Sequence, residues 1–142
     1  MERSLILVKP DAFERDLTGE IIARFERKGL SLVALKLMTM TRELAERHYA
    51  EHVGKSFFEE LVTFITRSPA LFLVVQGPPD TWRIVRSLMG ATNPMDALPG
   101  TIRGDLATEV TENLVHGSDG AESAEREIAL FFPDLVGTGV RR

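Results

Sequence analysis

Leu5-Ile6-Leu7-Val8, closed by Lys9-Pro10-Asp11, is a short unbroken apolar run that ends at a proline. Such a run suits a strand buried on both faces, and the residue before a proline is pushed towards extended backbone. A strand is therefore expected over residues 5–8, with Lys9 at its exit. Downstream, Leu17 and Ile22 are placed as a hydrophobic staple around a Thr18 cap, and Ile21, Ile22 and Phe25 share one face. That spacing predicts a helix over 19–28, stopped by Gly29. Residues 30–40 return to rough alternation and read as a second strand.

Two short helical patterns follow, over 42–51 behind a Thr41 cap and over 57–66 with Phe57, Leu61 and Ile65 at one-turn spacing. Residues 70–75 are a third apolar run, and Pro78-Pro79-Asp80 turns the chain into a helix over 81–89 that stops at Gly90. No period holds over 91–112, where Pro94, Pro99, Gly100 and Gly104 predict a long ordered loop. Loops of that length in a small domain are usually functional. Residues 113–116 make a short fourth strand, and Asp119 with Glu122 predicts a capping box for a helix running through 130. The order β-α-β-(αα)-β-α-β-α is that of an α+β, ferredoxin-like βαββαβ fold with a four-stranded antiparallel sheet and extra helices. With 142 residues and no repeat or linker, one domain over 1–142 is expected.

Composition narrows the function classes. The chain is 44% hydrophobic and 27% charged, as in ordinary water-soluble proteins. A net charge of −4 argues against a protein built to hold nucleic acid. Without cysteine there is no disulfide, thiol chemistry or Cys-based zinc site. No run is long enough for a signal-peptide core or a membrane span, so a cytoplasmic protein is expected.

Three short matches are set aside. Gly54-Lys55-Ser56 resembles the end of a phosphate-binding loop, but Tyr49 stands where that loop needs glycine and the preceding segment reads as helix. His48-Tyr49-Ala50-Glu51-His52 fits a zinc-protease pattern but has no evident third ligand. Arg103-Gly104-Asp105 matches an adhesion tripeptide, which needs an extracellular setting.

The chemistry concentrates in Asn113-Leu114-Val115-His116-Gly117-Ser118-Asp119. A histidine at a strand end can act as a nucleophile, since neutral imidazole keeps a free lone pair near physiological pH. Taken alone, it reads better as a polar strand cap. Together with Lys9-Pro10-Asp11, Thr92-Asn93-Pro94 and Pro99-Gly100-Thr101-Ile102-Arg103-Gly104-Asp105, it makes the chain resemble the nucleoside diphosphate kinases. The likeness runs from residue 5 to about 133, in the family's order and spacing.

The resemblance implies a ping-pong transfer of a γ-phosphoryl group through a phosphohistidine on His116. Glu127 would accept a hydrogen bond from the other ring nitrogen, with Ser118 beside it. Arg86, Thr92 and Arg103 would hold phosphates. Lys9 would reach phosphate and sugar, and Tyr49 would place its hydroxyl near Lys9. Asn113 would bond the ribose 3′-hydroxyl, and Phe57 would stack on the base with Leu61 and Val110 lining the slot. Phe58, rather than Phe57, is the expected core residue of that helix. Stacking reads no hydrogen-bond edge, which suits ATP, GTP, CTP, UTP and deoxy forms alike. Mg²⁺ is implied, bound through the substrate's own phosphates rather than a carboxylate cage. A homo-oligomer, tetramer or hexamer, is also implied, with residues 94–99 as candidate contacts.

Ala12, Ser56, Leu106, Gly120 and Phe131 depart mildly from the family's common residues, none of them at a reacting position. The chain resembles the family's short bacterial or archaeal form. Three other readings are a phosphohistidine signalling module, a regulatory or RNA-binding ferredoxin-like domain, and a catalytically silent relative. The first leaves Lys9, Phe57 and Asn113 without a purpose. The second lacks the exposed strand aromatics that RNA recognition uses. The third is disfavoured because the set from Lys9 to Glu127 is complete.

Overall fold

In the computed structural model, which describes residues 1–135, four strands form one antiparallel sheet. They are β1 (Glu2–Val8), β2 (Ser31–Met38), β3 (Ala70–Gly77) and β4 (Val115–Gly117), in spatial order β2-β3-β1-β4. This is the ferredoxin-like arrangement expected from the element order. β1 lies between β3 and β4, pairing antiparallel with each, which accounts for its continuous apolar run. Ile6 and Val8 enter one core and Leu5 and Leu7 the other, all four with no exposed surface. Each such side chain contributes roughly 1.5–3 kcal/mol by leaving water.

The two cores take different helices. On one face pack α2 (Thr18–Arg27), α5 (Thr81–Met89) and α6 (Ile102–Leu106), through Ile21, Phe25, Val85, Met89 and Ile102. On the other pack α3 (Arg42–His48), α4 (Phe58–Thr66) and α7 (Ala121–Phe131), through Ala45, Phe58, Val62, Ile65 and Phe131.

Several local expectations shift. A five-residue helix, α1 (Pro10–Glu14), follows β1, with Pro10 in its first turn; it is too short to show a period in sequence. α2 begins at Thr18 itself, behind Leu17, and no side chain caps it. Leu17 and Ile22 both pack against the core, so the apolar part of the expected staple is present. The Thr41 cap forms, its hydroxyl accepting from Leu44 N at 3.1 Å. α3 stops at His48 rather than continuing to 51, and a 3₁₀ turn covers Ala50–His52. The loop over 91–112 contains a 3₁₀ turn (Pro94–Asp96) and α6, the latter capped by Thr101 Oγ1 accepting from Gly104 N at 3.0 Å. The expected capping box at Asp119 is absent: Gly120 stands at the cap of α7, and the Asp119 carboxylate takes the Ser123 hydroxyl instead.

In α4 the buried stripe is Phe58, Val62 and Ile65, which shares Ile65 with the expected Phe57, Leu61 and Ile65 but lies one residue on at the first two turns. The shift sends Phe58 into the core and leaves Phe57 42% exposed. In α7 the buried stripe is Ala124, Glu127 and Phe131, so a carboxylate is carried into the interior at core spacing.

Candidate active site

His116 sits on β4 opposite Leu7 of β1. Cross-strand partners share a face. The register therefore turns His116 towards the side holding α3 and α7, while Val115 enters the other core. There Glu127, 4% exposed, meets it: His116 Nε2 and Glu127 Oε2 are 2.9 Å apart. The Ser118 hydroxyl donates to the other carboxylate oxygen at 2.6 Å and accepts from Leu5 N at 3.4 Å. Burial alone would raise the Glu127 carboxyl. The hydrogen bond and charge of His116, with the Ser118 hydroxyl, outweigh it and hold Glu127 below its ordinary value. A carboxylate so held keeps the imidazole proton on Nε2. Nδ1 then carries the lone pair, and no described residue bonds it.

The strand is entered through strained backbone. Leu114 has φ of +75°, rare for a branched residue, and Val115 N donates back to Asn113 O at 2.9 Å. Together these define a γ-turn of the disfavoured hand. Strain of this kind costs on the order of 1–3 kcal/mol and needs surrounding structure to hold it. The clamps are visible. Leu114 N donates to Asp11 Oδ2 at 3.1 Å, and Lys9 N donates to Leu114 O at 2.9 Å. Arg103, only 4% exposed, donates to the carbonyls of Asn113 at 3.2 Å, Val115 at 2.6 Å and Gly90 at 3.0 Å. At about 1.5–3 kcal/mol for each bond to a charged group, the Asp11 and Arg103 bonds together exceed the strain.

Beside the turn is a cleft of about 290 Å³ lined by Lys9, Arg86, Thr92, Arg103, Asn113 and His116, with Tyr49, Leu61 and Val110. Lys9 Nζ donates to Asn113 Oδ1 at 2.7 Å and to Thr111 O at 3.1 Å. Asn113 Nδ2 donates to Thr92 O at 2.8 Å, tying three of the expected residues together. Burial, assisted by the Arg103 charge, lowers Lys9 to about 8 against the opposing pull of Asp11 and Glu112. Burial, then the Arg86 charge, lowers Arg103 to about 10. Clustered, desolvated cations of this kind make a site for an anion.

Three placements differ in detail from expectation. Arg103 spends three of its donors on backbone carbonyls, so it braces the γ-turn as well as facing the cleft. Tyr49 lines the cleft but makes no hydrogen bond with Lys9; burial, then Glu127, raises its phenol to about 12. Phe57 lies at the entrance to α4 rather than in the cleft wall, its ring 5.3 Å from that of His52. Gly117 lets α5 approach the strand closely: an added Cβ would lie 3.0 Å from both Val85 and Met89. That approach brings Arg86 within 3.3 Å of Gly117 O.

Two buried groups beside the site were not expected there. Asp11 has no motif beyond its place after Pro10. His48 belongs to the H-x-x-E-H pattern, but α3 ends at it, so His52 is not on the same helical face. His48 instead turns inward and packs edge-on to His116, ring centroids 5.0 Å apart. A hollow of about 760 Å³ between β1 and α7 is larger than the cleft, but its lining has neither a histidine nor a clustered set of cations.

The nucleoside diphosphate kinase family model matches residues 2–136. The chain belongs to the nucleoside diphosphate kinase family. The nucleoside diphosphate kinase of Thermus thermophilus is 59% identical over 132 residues, covering 93% of this chain and 96% of the relative. That of Chloroflexus aggregans is 55% identical over 139 residues, 96% and 92% of the two chains. Among solved structures, a nucleoside diphosphate kinase family protein from Babesia bovis superposes with a TM-score of 0.93 at 44% identity, covering 99% of this chain and 95% of that one. A halophilic member from Halobacterium salinarum, solved in complex with CDP, gives 0.91 at 50% identity, covering 99% and 93%.

Proposed function

We propose that this chain transfers the γ-phosphoryl group of a nucleoside triphosphate to a nucleoside diphosphate by a ping-pong mechanism, with His116 carrying the group between them. The observation that carries the reading is the His116–Glu127–Ser118 chain, 2.9 and 2.6 Å, standing beside a cleft of lysine and arginine. The Nδ1 lone pair attacks the γ-phosphorus, the bond to the bridging oxygen breaks, and the first diphosphate leaves. The second diphosphate attacks phosphohistidine by the reverse path. Glu127 offsets the positive charge that grows on the ring during attack. Lys9, Arg86 and Arg103 meet the charge spread over the phosphoryl oxygens. Asn113 retains one N–H and a lone pair beyond its present bonds, enough to engage a ribose hydroxyl.

Mg²⁺ belongs to the same reading. The cleft lining holds no carboxylate, so the residues fit a metal that arrives on the nucleotide's phosphates and keeps several waters. When bound it supplies neutralisation of phosphate charge. A homo-oligomeric state and a cytoplasmic location are part of the proposal. Among the described residues, no helix is long and apolar enough to cross a membrane.

The decisive experiment is incubation with γ-labelled ATP without acceptor, followed by unlabelled CDP. Acid-labile, base-stable label on the protein, chased quantitatively into CTP, is the expected result. Label that stays on the protein would instead favour a signalling module. Two further outcomes follow from the site. Phe57→Ala should raise KM roughly 5- to 150-fold, about equally for purine and pyrimidine nucleotides, as loss of a base-stacking surface requires. A rise confined to one base would contradict the stacking role. Lys9 is charged below about pH 8 and neutral above it, so kcat/KM should fall tenfold per pH unit beyond that point. Lys9→Arg, charged throughout this range, should lose that limb; a limb that persists would assign it to another group.

A further inference from the structure

His48, His116 and Glu127 place two imidazole nitrogens and a carboxylate oxygen within 4.8 Å of one another. His48 Nδ1 lies 3.8 Å from Glu127 Oε2, and His116 Nε2 lies 2.9 Å from the same oxygen. Tetrahedral zinc, bound at about 2.0–2.1 Å, sets its ligand atoms roughly 3.3 Å apart. The two distances to Glu127 Oε2 bracket that spacing, and the imidazole nitrogens, within 4.8 Å of each other, would turn towards one another to complete the set. Independently, His48 is only 7% exposed and its Nδ1 is a buried polar atom without a hydrogen-bond partner. A group of this kind normally costs on the order of 1–3 kcal/mol if nothing satisfies it. Beside it is a cavity of about 140 Å³, also lined by His52 and Asp119, with room for water as a fourth ligand. Arg126 lines the same cavity, but so do Glu51 and Asp119, and the two imidazole nitrogens set the donor character of the site. That selects a borderline-soft metal bonded directly to nitrogen over Mg²⁺ or Ca²⁺.

We propose that His48, His116 and Glu127 form an inhibitory site for Zn²⁺ or a similar transition metal. The site lies behind the nucleophile, on the side of the ring away from its unbonded Nδ1. Its effect on activity rests on the phosphotransfer reading above, whereas the binding itself does not. Coordination needs the Nε2 lone pair, so the single proton of neutral His116 must move from Nε2 to Nδ1. No proton is gained or lost, but the atom that attacks phosphorus no longer has a lone pair. The metal also takes the Glu127 oxygen that orients the ring. Zinc and phosphorylation of His116 are therefore antagonistic, and Mg²⁺, a hard oxygen-seeking ion, leaves the site alone.

The test titrates the metal-free protein, as the full chain, with Co²⁺ and Zn²⁺, following cobalt's visible ligand-field absorption and zinc stoichiometry by dialysis. One metal per chain with tetrahedral-type absorption is expected. His48→Gln and Glu127→Gln should each weaken binding by at least about tenfold. His52→Gln, a neighbour outside the triad, should not. His48→Asn serves where the glutamine variant is poorly folded by circular dichroism. Zinc should block labelling from γ-labelled ATP in wild type, a chelator should restore it, and His48→Gln should label with zinc present. Absorption that persists in both His48 variants, or labelling of wild type that ignores saturating zinc, overturns the proposal. Stoichiometric, His48-dependent metal binding in a protein that never labels would uphold the site and remove the phosphotransfer reading instead.

Discussion

His116→Ala is expected to lower the phosphotransfer rate by at least about four orders of magnitude and to abolish label transfer from γ-labelled ATP. Loss of a nucleophile leaves only the binding and charge-stabilising parts of a site, and effects of this size are usual for such losses. The fold should tolerate the change. His116 is 34% exposed at its side chain and supplies one hydrogen bond, to Glu127. That bond's loss leaves Glu127 with the Ser118 hydroxyl, so thermal unfolding should move by only a few degrees. Steady-state turnover with two nucleotides, beside a thermal melt of the same preparation, checks both halves. Turnover within tenfold of wild type in a folded variant would mean that the phosphoryl group does not pass through this residue.

Arg103→Met should be the most damaging single change to stability that this site offers. The guanidinium donates to three carbonyls, those of Gly90, Asn113 and Val115. Methionine matches the stem but satisfies none of them. Asn113 O keeps the Val115 N–H, but the Gly90 and Val115 carbonyls lose this donor at about 1–3 kcal/mol apiece, so a loss of about 3–5 kcal/mol is expected. For a chain of this size that lowers Tm by about 10–15 °C, measurable by circular dichroism. Arg103→Lys should recover only part of it, because one ammonium cannot span three divergent acceptors. A fall in Tm below about 3 °C for Arg103→Met would show that the γ-turn does not depend on this brace.

Much of this was legible in the sequence because the signals were either long or two-sided. The run 5–8 is apolar at every position because both faces of β1 are covered, and 81–89 repeats its apolar residues over two full turns. Short elements escaped for the converse reason: α1 and α6, at five residues each, complete too few turns for a period to appear. The Gly120 start of α7 escaped because Asp119 has two uses for its carboxylate, and the Ser123 hydroxyl takes it. Glu127 alone reads as a surface charge. The available sign was its place on the stripe of Ala124 and Phe131, where a carboxylate is out of character unless it has a partner. His48 likewise stands three residues after Ala45 on the buried side of α3. No local pattern announces the γ-turn at Leu114, since its clamps come from Arg103, on a separate helix, and from Lys9 and Asp11, far along the chain.

That distance has a consequence for the order in which the protein is made. The turn is held by Lys9 and Asp11, more than a hundred residues before it, and the nucleophile is oriented by a carboxylate eleven residues after it. A nascent chain emerging from the ribosome carries Lys9 and Asp11 early, but the turn they clamp is made more than a hundred residues later, and the oriented imidazole needs α7 as well. The site therefore cannot be complete before α7 has been synthesised. An unfinished chain has no site with which to act on the cell's nucleotides.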